Sequence, residues 1–166
     1  MSHSIVKALD SLFGFQTASA HCDIPCKIYD PSTAQIAVLS VIRFCDLITE
    51  LGSKGDLSIA DQAQLSRLVR EKEIHAEKAK AEVRTIWGDY FKAPQFEQFP
   101  DIHSLVHSIM LAGSACKQHV DKEKAENLLK LVNEFAAAFW ATKGVETFEA
   151  TCPYPPAAQV VYPKLS

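Results

Sequence analysis

The chain has little of what marks a nucleic-acid binder, a membrane protein or a disulfide scaffold. Lysine and arginine number 17 against 20 aspartates and glutamates, a net charge of −3. No basic patch is interleaved with aromatics, so a general nucleic-acid surface is not expected. No apolar run approaches the roughly 18 residues that a membrane-spanning helix needs. The five cysteines, Cys22, Cys26, Cys45, Cys116 and Cys152, are odd in number and scattered. That is unlike the paired framework of a small secreted protein and fits a reducing, cytoplasmic compartment. No stretch alternates well enough between apolar and polar residues to be assigned as a strand. What remains is 166 residues, 48% of them hydrophobic, enough for one domain with a core.

The sequence is organised as helices. Asp30 and Pro31 open the first as N-cap and first helical residue. Ile36, Leu39, Ile42 or Phe44, and Leu47 follow at helical spacing, and Gly52 closes it. Ser58 and Asp61 form a near capping box for a long second helix rich in Ala, Glu and Lys. Gly88 and the region of Pro94 end it. A third helix starts at Asp101, after Pro100. A fourth starts near Asp121, carries Leu128, Leu131, Phe135 and Phe139 on one face, and stops at Gly144. Four amphipathic helices on short loops imply an all-α, up-down four-helix bundle. Residues 145–166 hold four of the eight prolines and are expected to be an extended tail that wraps over the bundle or a neighbour.

The stretch with the most chemistry is "ASAHCDIPCKIYDP", residues 18–31. Ala18 and Ala20 fit a small-residue cleavage pattern. Upstream, Asp10 interrupts the apolar stretch and Lys7 is the only basic residue before the cysteines, which makes a poor export signal. Residues 1–20 are therefore expected to be a pro-segment, removed between Ala20 and His21, with export as the alternative. Cleavage there turns His21 into an N-terminus. Its α-amino group and the backbone nitrogen of Cys22 can then chelate one metal, and the thiolates of Cys22 and Cys26 add two sulfurs. Two nitrogens and two sulfurs in a plane suit Ni(II) or Cu(II), whereas zinc prefers a tetrahedron. The His21 imidazole can approach as an axial ligand. Pro25 fixes φ and turns the chain so that Cys26 returns towards Cys22.

"HCDIPCKIYDP" resembles the metal-binding hook of the nickel-containing superoxide dismutases, His-Cys-x-x-Pro-Cys-x-x-Tyr. "WGDYFKAPQFEQFPDIH", residues 87–103, is similar to a second segment of that family. The resemblance covers about residues 21–142. It implies a four-helix bundle, a homohexamer, a dedicated maturation protease, and nickel alternating between Ni(II) and Ni(III) to turn superoxide into dioxygen and hydrogen peroxide. By the same resemblance, His21, Cys22 and Cys26 are the metal ligands. Tyr29 and Tyr90 line the substrate approach, and Asp23 and Lys92 support the hook and its pocket. Three positions depart from the family, which usually places glycine at Lys27, glutamate at Ala37 and arginine at about His75. The last two normally hold the axial imidazole.

Other chemistry-bearing residues have plainer readings. His103 and His107 lie four apart on one helix face, without an evident third ligand, and read as surface or interface residues. His75 and His119 read as exposed, and His3 falls in the pro-segment. Cys45 and Cys116 read as small buried hydrophobes, and Cys152 as a free thiol in the tail. Trp87, Tyr90 and Phe91 are as well suited to core packing as to a pocket. The division expected is residues 1–20, 21–144 and 145–166. A second reading is a helical metal-binding or thiol-redox protein without dismutase activity, motivated by Ala37 and His75.

Overall fold

The structure, a computed structural model, describes residues 27–165. Residues 1–20, the expected pro-segment, and His21, Cys22, Asp23, Pro25 and Cys26 lie outside the described residues. Among those described, helices dominate: α1 (Ser32–Gly52), α2 (Ile59–Thr85), a short α3 (Ala93–Gln98), α4 (Ile102–Gln118) and α5 (Lys122–Thr142). One π-helical turn, Ile86–Tyr90, extends α2. The four long helices form the expected bundle, with α1 on α2, α2 on α4, α4 on α5, and α5 back on α1.

Local capping chemistry sets where these helices begin. The expected cap at Asp30 is corrected by one residue: Pro31 is the N-cap of α1 and makes no side-chain cap bond, while the Asp30 carboxylate just before it accepts the backbone N–H of Ser32 at 2.8 Å. Ser58 and Asp61 form a reciprocal capping box at the head of α2. Asp121 accepts the N–H of Lys124 at the head of α5. Past the other end of α5, Gly144 takes φ +68°, the left-handed conformation that commonly stops a helix.

Burial follows one face of each helix. In α1 the core face is Ala34, Val38, Val41, Cys45 and Ile48. Ile36 lies about 200° from Ala34 around the helix and is 54% exposed, so the apolar stripe expected through Ile36 is corrected at that point. Leu128, Phe135 and Phe139 of α5 are fully buried as expected, and Leu131 is partly so.

Two features were not legible in the sequence. Lys72 of α2 is 1% exposed. Its ammonium donates to the carbonyls of Cys116, Lys117 and His119 (3.0 Å to each of the last two). It thereby caps the C-terminus of α4 with the sign of charge the helix dipole favours, and all three of its N–H groups are used. The second is a two-stranded antiparallel sheet in the tail, which corrects the expectation of no strand. β1 (Thr147–Thr151) pairs with β2 (Gln159–Pro163), Glu149 facing Val161.

The tail wraps over the bundle, on α1 and α5. Val160 and Val161 are buried there. Asn133 of α5 meets the edge of β2 as another strand would, accepting from the Val161 N–H (3.2 Å) and donating to the Gln159 carbonyl (3.0 Å). Gln35 of α1 donates to both the Val161 carbonyl (2.8 Å) and Asn133 (2.9 Å).

Replacing Lys72 by Met keeps the stem and removes the three donors. We expect a loss of about 2 kcal/mol in a denaturant melt, the scale of leaving buried carbonyls unsatisfied. An unchanged midpoint would mean that the cap contributes nothing net.

Candidate functional site

The described chain starts one residue after Cys26, and its first ring contact is Tyr29 against Tyr90, with centroids 5.9 Å apart. Tyr90 is delivered by the π-helical turn, in which the Phe91 N–H reaches back five residues to the Ile86 carbonyl (3.3 Å). Such turns shift the register of the side chains that follow and recur at functional sites. The Tyr90 ring packs on Phe139 (4.9 Å) and edge-on against Phe91 (5.5 Å), and the Lys143 ammonium lies 4.6 Å from its centroid. Its hydroxyl is 2.6 Å from the Thr142 hydroxyl. The two expected tyrosines are therefore brought together, and the end of α5 holds the second.

Lys92 has a local role. Its ammonium donates to the Gly88 carbonyl at 3.0 Å, and its backbone N–H to the Gln95 side chain at 3.1 Å. It ties the π turn to the head of α3. Phe91 is core, at 1% exposed. The Trp87 indole donates to His103 Nδ1 at 3.1 Å, and the His103 ring lies 4.5 Å from Phe96. That fixes the segment 87–103 as one packed unit. With Nδ1 accepting, a neutral His103 carries its proton on Nε2. His107 and His119 are exposed. Among the described residues, no group of three or more His, Cys, Asp or Glu could hold a metal.

The two altered positions are clear. Ala37 is buried at 1% exposed and has no polar side-chain atom. His75 is half-buried against Phe44 (5.3 Å), and its Nδ1 is 2.9 Å from the Glu71 carbonyl, one turn back on its own helix. Lys27 takes φ +58°, a left-handed conformation that costs an L-residue roughly 1–2 kcal/mol and glycine nearly nothing. A glycine at this position in the family therefore has a backbone reason.

The three described cysteines are free thiols, and all are buried. Burial pushes the Cys45 thiol up, and pushes Cys116 up to about 11. The residues expected as nickel ligands, His21, Cys22 and Cys26, lie outside the described residues.

The comparisons with known proteins agree with one another. The model for the nickel-containing superoxide dismutase family matches residues 16–143, a span that includes His21–Cys26. A protein named superoxide dismutase [Ni] from Streptomyces coelicolor is 38% identical over 127 residues, 76% of this chain and 91% of that one. Its namesake from Streptomyces seoulensis is 36% identical over 125 residues, 75% and 89% of the two chains. The native crystal structure of a nickel superoxide dismutase superposes with a TM-score of 0.65 at 36% identity, covering 74% of this chain and 99% of that one. The tail beyond residue 143 lies outside the family match.

Two outcomes test this geometry. Lys27→Gly is expected to raise stability by about 0.5–1 kcal/mol in chemical denaturation, strain relief less the added freedom of the unfolded chain. An unchanged or lower stability would refute the strained turn. Because folded Cys116 keeps its proton to about pH 11 while the unfolded thiol loses it near pH 9, the folded state binds more protons between those values. Stability should therefore fall as pH rises from about 9 to 11, less steeply in Cys116→Ala. Equal slopes would contradict it.

Proposed function

The chain belongs to the nickel-containing superoxide dismutase family, and on that premise we propose that it dismutates superoxide at a nickel ion held by His21, Cys22 and Cys26 once residues 1–20 have been removed. What supports this reading is the donor set His21-Cys22-x-x-Pro25-Cys26 standing directly before a packed pair of tyrosines, Tyr29 and Tyr90. One superoxide gives up an electron and leaves as dioxygen. The next takes that electron and two protons and leaves as hydrogen peroxide. Bound nickel supplies the one-electron couple between Ni(II) and Ni(III), whose higher state the two thiolates and the Cys22 amide nitrogen stabilise.

The rest is the work of the chain. Pro25 bends the segment that brings the two thiols together, and Asp23 supports it. Tyr29 and Tyr90 form a wall of the approach. Lys92 holds the turn carrying Tyr90. The Lys143 ammonium, over the Tyr90 ring, brings positive charge to a wall that an anion must pass.

A nine-residue hook has too little apolar surface to order itself, and Ile28, near its end, is 78% exposed. Both favour a site covered by neighbouring subunits, as in a homohexamer. Among the described residues no helix is long and apolar enough to cross a membrane. The scattered cysteines favour maturation by a protease in the cytoplasm. On this reading, residues 21–144 are the enzyme and 145–166 an added tail.

The second reading, a metal-binding or thiol-redox protein without turnover, draws on Ala37 and His75, which would leave the His21 imidazole without the charged pair that the family usually supplies. One experiment separates the two. Protein beginning at His21, loaded with nickel, should destroy superoxide rapidly, and protein retaining residues 1–20 should not. Nickel uptake without superoxide loss would sink the dismutase reading in favour of the second.

A further inference from the structure

The hydroxyl chain behind Tyr90 has a direction. Thr142 Oγ1 lies 2.6 Å from the Tyr90 hydroxyl and 2.6 Å from the Phe139 carbonyl oxygen. A threonine hydroxyl has one proton, and a carbonyl can only accept. If Thr142 donated to Tyr90, its oxygen and that of Phe139 would face each other at 2.6 Å with no proton between them, a repulsive contact at full hydrogen-bond distance. The arrangement that satisfies both short contacts runs one way: Tyr90 O–H donates to Thr142, and Thr142 donates to the Phe139 carbonyl.

We propose that Thr142 is a positioning residue for Tyr90: it takes the phenol proton, locks the hydroxyl rotor, and leaves Tyr90 facing the substrate approach only as a hydrogen-bond acceptor. This rests on the dismutase reading for its consequence, though not for its geometry. Tyr90 already spends its one proton inside the bundle, so it does not protonate the departing peroxide. Its oxygen instead keeps lone pairs with which to accept from a donor such as water. The ring cannot easily swing to a different role, because Phe139, Phe91 and the Lys143 ammonium all pack against it. Thr142 is the last residue of α5, so the whole length of that helix backs the hydroxyl that fixes the phenol.

The test uses the protein beginning at His21, with Thr142→Val, which keeps the shape and removes the hydroxyl, Thr142→Ser, which restores it, and Tyr90→Phe. In the nickel-loaded protein, Thr142→Val should lower superoxide turnover about tenfold, and Thr142→Ser should stay within about twofold of the parent. On the Tyr90→Phe background, Thr142→Val should have no further effect, the signature of a residue that acts through another. Turnover in Thr142→Val equal to the parent, or an equal loss on the Tyr90→Phe background, would overturn the proposal. In the nickel-free protein, nuclear magnetic resonance should show a slowly exchanging Tyr90 hydroxyl proton close to Thr142, absent in Thr142→Val. A Thr142 hydroxyl proton directed at Tyr90 would reverse the wiring and overturn the proposal outright. If the parent itself leaves superoxide untouched while that Tyr90 proton is seen, the dismutase reading fails and the assigned hydrogen-bond direction stands.

Discussion

The contact between Tyr29 and Tyr90 is the interaction on which the site depends. The segment proposed to hold the metal leads into the bundle here, and between Cys26 and Tyr29 stand only Lys27 and Ile28, the latter 78% exposed. A short segment with no core pays the entropy of ordering without the burial that offsets it. It has to borrow its order from something already folded. Tyr29 makes that connection within three residues of Cys26, and Asp30 converts it at once into a helix start by taking the Ser32 N–H.

Tyr90 can serve as an anchor because it is over-determined. The π-helical turn sets its direction, Lys92 closes that turn onto Gly88, and Trp87 binds the following segment through His103. The end of α5 then takes its hydroxyl. Further away, Lys72 holds α4 against α2 by its exposed carbonyl end, and the tail clasps α1 to α5 through Gln35 and Asn133. The clasp lies close to the first turn of α1, so the part of the chain that adds most to the family pattern braces the helix that the hook leads into.

How much of this could be read from the sequence follows the range of each interaction. Ser58 with Asp61 and Asp121 were legible as helix starts because a cap acts over two or three residues, whereas Asp101 marks a start without a side-chain cap bond and Asp30 stands one residue before the Pro31 N-cap, which also makes none. The residues proposed to hold nickel stand out in the sequence for the same reason, being contiguous. Burial was less so: Ile36 looks like core and faces out, whereas Lys72 looks like surface and is enclosed, because only its three distant carbonyls make burial of the charge tolerable. The strands at 147–151 and 159–163 stabilise each other and dock on Asn133, contacts that no window along the chain contains. Thr142 lies 52 positions from Tyr90, and a threonine near a helix end carries no signal of its own. Tyr29 and Tyr90 were picked out through resemblance to a family, and their meeting needed the fold.

The most direct test of the central claim is X-ray absorption at the nickel edge, on protein beginning at His21. The account predicts a nickel site with two sulfur donors and nitrogen ligands, and the loss of sulfur scattering in Cys22→Ser and Cys26→Ser. A nickel site made only of oxygen and nitrogen, unchanged by those two substitutions, would contradict it.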